Sequence, residues 1–265
     1  MGGEFLNIRI GQVEDVKAGT GCTVFICEEG MRAGLDVRGG GPASRETQLL
    51  NPLTVGYTFT RPDSEMGYEA AKIAFDSPNY RDGNFGAGCG ATVGKIAGMN
   101  TCMKSGIGSY ELELGELKMA AVVVVNALGD IFDHKTGKQI AGLLTEDKTR
   151  LRSTVDYMKA NVKIQENKFT SNTTIAVVMT NANFSKPQLC KIAGMAHDGY
   201  ARSINPVHTS ADGDSIYAVS VGNVKADTDL VGTLAAEVVS ESITKAIKQA
   251  NSAYGFSAAS DIIGG

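Results

Sequence analysis

Residues 171–180 read "SNTTIAVVMT", and the character of the chain changes inside this stretch. The residues before it, "KIQENKF" (163–169), are polar and loop-like, whereas those after Thr174 form an apolar run with two adjacent valines. A short β-branched run bounded by polar residues favours a strand. The stretch therefore predicts a loop over residues 163–172, exposed and open to cutting, that leads directly into a buried strand over residues 174–180. Three further runs share this make-up: "CTVFIC" (22–27), "MAAVVVVN" (119–126) and "SIYAVSVG" (215–222). Strands that are apolar almost without interruption need cover on both faces, so the sheets should lie between helical layers.

Four segments have helical patterning. Residues 63–75 follow Pro62, with Asp63 or Ser64 as the cap. Residues 146–162 follow Thr145 and carry Leu151, Val155 and Met158 at helical spacing. Residues 186–203 follow Ser185, with Pro187 in the first turn and Leu189, Ile192, Ala193 and Ala196 on one face. Residues 229–253 form the longest, with Leu234, Val238 and Ile247 inward and a polar face too weakly basic for a membrane surface. Strands and helices do not alternate regularly, and no repeat or long linker divides the chain. The expectation is a single α+β domain over residues 1–265.

The 265 residues, 43% of them hydrophobic, are enough for a sizeable core. The net charge is −4 and the basic residues are scattered, which argues against nucleic acid as a partner. The longest apolar run, residues 119–125, falls far short of the roughly 20 residues that cross a bilayer, so no membrane association is expected. The opening "MGGEF" lacks the apolar core of a signal peptide and reads as added sequence outside the fold. Five cysteines (Cys22, Cys27, Cys89, Cys102 and Cys190) without a C-x-x-C pair suit reduced thiols in a cytoplasmic protein. The 32 glycines are spread through the chain, as tight turns and close backbone contacts require.

One glycine cluster, "GNFGAGCGATVGK" (83–95), invites a nucleotide-binding reading. A P-loop would need glycine where Cys89 stands and serine or threonine where Ile96 stands. Gly86, Gly88 and Ala91 fit only a relaxed dinucleotide pattern, and the preceding "SPNYRDGN" is turn-like where a strand is required. What remains is Lys95 at the end of a crowded segment. It is either a surface lysine beside close backbone packing or a buried donor able to stabilise negative charge. "VVVVNALGD" puts Asn126 at a strand end, where its amide either caps a turn or donates to an oxyanion. "HTSADGDSIYAV" places His208, Asp212 and Asp214 just before a strand, as a hairpin turn or as a carboxylate pair that orients a catalytic group. The sequence has no G-x-S-x-G and no H-E-x-x-H. The three histidines show no ligand spacing, and no metal or organic cofactor is called for.

Thr173 has a chemical option of its own. A cut between Asn172 and Thr173 would put a free α-amine on the residue that carries the hydroxyl. With an unperturbed pKa of about 7.7–8.0, that amine can act as base to its own side chain. Taken alone, a threonine that starts a strand is usually a β-branched strand former.

Taken together, "TGCTVFICEEG", "DVRGGGPASRETQLL", "RPDSEMGYEAA", "GNFGAGCGATVGK", "VVVNALGD", "NTTIAVVMTNA" and "HTSADGDSIYAVS" resemble, in this order, peptidase family S58, the DmpA family of aminopeptidases. The resemblance spans most of the chain. It implies an αββα sandwich of two stacked sheets and a self-processing N-terminal-nucleophile hydrolase. Cleavage at Asn172–Thr173 would give an α chain of residues 1–172 and a β chain of residues 173–265. Thr173 would be the nucleophile, with Lys95 and Asn126 around the tetrahedral intermediate and Asp212 and Asp214 assisting. Activities in the family include release of N-terminal residues, cleavage of D-amino-acid amides and esters, β-peptide cleavage and hydrolysis of other linear amides. A homo-oligomer of processed units acting on a peptide or small amide is implied as well. The family pattern has a further stretch between "RETQLLNP" and "LTVG", which is missing here because Pro52 is followed directly by Leu53. That gap motivates a second expectation, a degenerate member that binds without catalysis.

Overall fold

The computed structural model describes residues 2–40, 62–162 and 172–263. The Pro52–Leu53 junction and the 163–171 part of the predicted loop lie outside them.

In chain order the elements are β1 (Glu4–Phe5), β2 (Ile8–Asp15), β3 (Thr20–Ile26), β4 (Arg32–Val37), α1 (Ser64–Asp76), β5 (Thr92–Val93), β6 (Met103–Lys104), β7 (Ile107–Leu114), β8 (Leu117–Asn126), β9 (Asp130–Phe132), β10 (Gln139–Ala141), α2 (Thr154–Ala160), β11 (Thr173–Ala182), α3 (Lys186–Ser203), β12 (Ile204–Asn205), β13 (Ser215–Val224), α4 (Thr228–Lys248) and α5 (Ala259–Ile263). The opening stretch becomes β11, the middle strand of a five-stranded sheet in the order β4-β13-β11-β8-β7. β11 and β13 run parallel across the α3 connection, and the other pairs are antiparallel.

Alternation along β11 and β8 serves two cores. Ala176, Val178 and Ala182 with Met119, Ala121, Val123 and Val125 face α3 and α4. Val177 and Met179 with Ala120, Val122 and Val124 face Ile8, Ile10 and Phe25 of the antiparallel β1-β2-β3 sheet. Each buried valine or isoleucine contributes roughly 1.5–3 kcal/mol. Outside that sheet lies α1, with Ala70 and Ala74 above Gly11. The layers are helix, sheet, sheet, helix: an αββα sandwich.

Local chemistry sets the helix ends. Asp63 caps α1 by accepting from Met66 N–H at 2.9 Å. Gln188 Oε1 reaches back to Ser185 N–H at 3.0 Å to start α3, and Asp227 caps α4. Three expectations need correction. The helix predicted over residues 146–162 is only Thr154–Ala160, because Asp130 accepts from Thr154 N–H and Oγ1–H, both at 2.6 Å, and Ser153 is the cap. Upstream, Lys148 has φ +58° and Leu144 bridges Leu151, which makes a turn of the segment. The last long helix stops at Lys248, and Ala253 bridges Phe256 in the turn that follows. Residues 1–5 do not all lie outside the fold, since Glu4 and Phe5 pair with β2 and Phe5 is buried in the inter-sheet core.

At Gly108 in β7 an added Cβ would lie 2.2 Å from Ser242 O and 2.4 Å from Ala246 N, both backbone atoms of α4. Helix α4 can approach the sheet this closely only over a glycine. Gly108→Ala should therefore lower stability by about 1–3 kcal/mol, read as a lower urea midpoint with an unchanged slope.

Candidate active site

Thr173 is the first residue of β11 and pairs with Asn126, the last residue of β8. Two strand ends thus meet where the five-stranded sheet stops. The segment after β5 comes in from the side. Gly94 N–H donates to Gly129 O and Lys95 N–H to Leu128 O, which fixes this segment to the loop after β8. Gly94 has φ +75°, and a Cβ there would strike the Gly142 backbone, so the turn that aims Lys95 requires glycine.

Lys95 is fully buried. Its Nζ donates to Asn126 Oδ1 at 2.7 Å and to Asn126 O at 3.0 Å, while Thr92 N–H donates to the same Oδ1 at 3.2 Å. Two donors on one oxygen settle the orientation of the carboxamide and leave its NH2 as the donor end. Burial pulls the Lys95 pKa down to about 7, against the opposing pull of Cys102, Asp212 and Asp214. Of the two readings of Lys95, the surface lysine is the one the structure discards.

From the opposite side comes the turn between β12 and β13. Asp214 Oδ1 accepts from Thr174 N–H at 2.8 Å, and its Oδ2 accepts from His208 N–H at 3.2 Å and lies 2.9 Å from His208 Nδ1. Asp212 Oδ2 accepts from Thr209 N–H and Oγ1–H at 2.9 and 2.6 Å, and its Oδ1 accepts from Leu128 N–H at 3.3 Å. Burial, and then the charge of Asp214, raises the Asp212 pKa. The Asp-Gly-Asp segment is therefore no hairpin tip but a brace between the β11 start and the loop after β8.

Asn172 belongs to this brace. It forms a bridge with Asp212, and its carbonyl accepts from Gly213 N–H at 2.7 Å. Thr173 Oγ1 lies 2.6 Å from the same carbonyl oxygen. Asn172 is fully buried and Thr173 is 6% exposed, so the expectation of an exposed loop as far as Asn172 fails at its last residue. The structure thus gathers Thr173, Asn172, Asn126, Lys95, Asp212 and Asp214 around one strand start. The arrangement offers a hydroxyl against an amide carbonyl, a buried cation and two braced carboxylates.

Sequence reasoning gave no role to His208, Thr209, Gly213 or Thr92, which orient the principal side chains. The run "HTSADGD" was a usable signal for the first three. It also missed Lys104, fully buried, whose Nζ donates to the carbonyls of Gly88, Ala91 and Ser105 and so ties the glycine-rich segment together. No sequence pattern marks it. Among the described residues no group of three or more His, Cys, Asp or Glu side chains could hold a metal ion. No described helix is long and apolar enough to cross a membrane.

Residues 56–260 match the family model for Peptidase family S58. An uncharacterized aminopeptidase of Mycobacterium leprae is 30% identical, over 78% of this chain and 72% of that one. A 6-aminohexanoate-oligomer endohydrolase of Kocuria is 25% identical, over 92% of this chain and 85% of that one. Among solved structures, a Burkholderia β-aminopeptidase superposes with TM-score 0.60 at 15% identity, covering 100% of this chain and 94% of that one. The L-aminopeptidase D-Ala-esterase/amidase of Ochrobactrum anthropi, described as a variant of the Ntn-hydrolase fold, gives TM-score 0.54 at 14% identity, with 92% and 84% covered. At such identities these two structures speak for the fold.

Because the folded-state pKa of Lys95 lies below its unfolded value, the unfolded chain binds more protons above about pH 7. The penalty for burying the charge is fully present below that pH and lifts as pH rises towards the unfolded pKa. Relative to Lys95→Met, the parent chain should gain about 1.4 kcal/mol of stability per pH unit between neutrality and pH 9. Urea unfolding of the pair, each in a Thr173→Ala background and checked by intact mass to be one chain, measures this.

Proposed function

This chain belongs to peptidase family S58, and from that premise we propose that it is a self-processing N-terminal-nucleophile amide hydrolase acting as an aminopeptidase. The observation that carries the reading is the placement of Thr173 Oγ1 beside the Asn172 carbonyl, with Lys95 and Asn126 on one side and Asp212 and Asp214 on the other.

In the first stage Thr173 Oγ attacks the Asn172 carbonyl and the chain divides into residues 1–172 and 173–265. The freed α-amine then stands on the nucleophile itself. In turnover it takes the hydroxyl proton as Oγ adds to the substrate carbonyl, and returns one to the leaving amine. Water releases the acyl group by the same route in reverse. The Asn126 amide, oriented by Lys95 and Thr92, helps to hold the charge on the tetrahedral oxygen. Asp214 holds Thr174 N–H, which keeps the strand start from shifting under the nucleophile. We place the enzyme in the cytoplasm, because all five cysteines are free thiols, and take its working form to be a homo-oligomer of processed units.

The match to the Kocuria endohydrolase over 92% of this chain supports a second reading, hydrolysis of linear amides of ω-amino acids. Both readings use the same chemistry and differ in the substrate body. A degenerate, non-catalytic member is the less favoured alternative, since Lys95, Asn126, Asp212 and Asp214 all stand around the Thr173 strand start.

Intact-mass spectrometry should show two chains that meet at Asn172–Thr173. Thr173→Ala should remain whole and lose hydrolysis by about a thousandfold or more, whereas Thr173→Ser should still divide. A folded Thr173→Ala protein that splits at the same bond would sink the mechanism. In a panel of L-, D- and β-amino-acid amides with 6-aminohexanoate oligomers, L-amino-acid amides should give the highest kcat/KM; oligomers at the top of that ranking would favour the second reading.

A further inference from the structure

The bond that self-processing breaks has its carbonyl oxygen, Asn172 O, hydrogen-bonded to Gly213 N–H at 2.7 Å. We propose that this backbone N–H is the oxyanion donor of the self-cleavage step, and that Asp212 and Asp214 serve as positioning residues for it; the inference rests on the self-processing reading above.

Three observations carry it. The first is distance. A donor effective on an oxyanion stands about 2.7–3.1 Å from the oxygen, and Gly213 is already within that range. As the carbonyl carbon becomes tetrahedral it moves chiefly towards Oγ, so the oxygen stays within reach of the donor. The second is the way the tripeptide grips the chain. Gly213 N–H holds residue 172 while Asp214 Oδ1 holds Thr174 N–H, so the residues on either side of Thr173 are fixed by one short segment. That segment is itself tied down: Asp212 by Thr209 and Leu128, Asp214 by His208. The third is burial. Asn172, Asp212 and Asp214 are at most 1% exposed and Thr173 is 6% exposed. A fixed N–H dipole is worth far more there than in water. It also needs no reorganisation when charge develops.

The chemistry balances with one water. Thr173 Oγ bonds to the Asn172 carbonyl carbon, and the carbonyl π pair moves onto the oxygen held by Gly213 N–H. The pair returns, the C–N bond breaks, and the hydroxyl proton ends on the Thr173 nitrogen, leaving an ester between Asn172 and Thr173 Oγ. Water adds to the ester carbonyl, the C–Oγ bond breaks, and Oγ takes a proton. The second proton of the water passes from the new carboxyl group to the amine, so the products are the Asn172 carboxylate and Thr173 with a free hydroxyl and an ammonium group.

Proline would remove the N–H but would also fix φ and add a ring, whereas replacing Gly213 by glycolic acid removes the N–H alone, since it turns one amide into an ester. The matched control is the same replacement at exposed Gly40, whose N–H donates to Thr209 O in the same loop without touching the Asn172 carbonyl. Division of the full chain is followed by intact mass, with circular dichroism confirming the fold of each variant. The expected result is division slowed about 10²–10³-fold for the Gly213 ester and near the parent rate for the Gly40 ester. A folded Gly213 ester that divides as fast as the parent, or two esters slowed alike, overturns the assignment to Gly213. A parent chain that never divides overturns the self-processing reading itself, and this one with it.

Discussion

The register of β11 is the constraint on which the rest depends. Thr173 pairs with Asn126 and Ile175 with Ser215, and these two pairings bring the end of β8 and the turn before β13 to the same strand start. Side chains in a strand alternate with a period of two, so a slip by one residue would exchange the two faces. Val177 and Met179 would then meet the helices, Ala176 and Val178 would meet the second sheet, and Thr173 would leave Asn126. Both cores resist that slip, because each accepts side chains from only one face. Placement of Thr173 is therefore enforced by the whole apolar length of the strand as well as by the hydrogen bonds that hold Asn172 and Thr174 at its polar end.

Around that start the protein buries charge and compensates it unequally. Lys95 and Lys104 are both pulled down to about 7, with burial as the leading cause. Asp212 is pushed up by burial and by Asp214. Every one of these shifts moves a group towards its neutral form, as expected when desolvation outweighs attraction between partners. The hydrogen bonds explain why the groups are tolerated: the Lys104 ammonium has three backbone carbonyls, and each aspartate accepts from backbone N–H groups. Such groups set geometry more than they add stability. The glycine-rich segment, whose glycines invite a nucleotide-binding reading that their spacing does not meet, brings one lysine to Asn126.

The strands around Thr173 could be read from the sequence because they are short, β-branched and apolar on both faces, and are bounded by polar or glycine residues. The longer strands that escaped notice are β2, interrupted by Gly11 and Gln12, and the two sheet edges, β4 and β7, along with the two- and three-residue strands β1, β5, β6, β9, β10 and β12. An edge strand need bury only part of its length, and "RAGLDV" and "IGSYELEL" carry charges accordingly. The over-long helix over 146–162 failed for a different reason. Leu151, Val155 and Met158 have helical spacing, yet Asp130, distant in sequence, captures Thr154 and decides where the helix begins. Tertiary hydrogen bonds of this kind leave no local trace. The same holds for Lys104 and Thr92. Thr173, Asn126, Lys95 and the two aspartates became candidates because they stand at strand ends or beside glycines, and the family resemblance, not their local pattern, chose the functional reading of each.

Burial of Asn172 gives the self-processing reading a physical consequence. In the undivided chain the Thr173 hydroxyl faces a peptide carbonyl inside the protein, and little of the residue meets solvent. On that reading the chain would supply its own first substrate at an effective concentration that no diffusing amide can match. The same enclosure bars outside substrates while the bond is intact. On the proposed mechanism, breaking it would free the α-amine to serve as base and would release residue 172 from the position that an acyl group must occupy to meet Oγ. Activation and access then follow from a single bond cleavage. The hold of Asp214 on Thr174 N–H does not involve Asn172, so the proposed nucleophile would stay in place after its neighbour had gone.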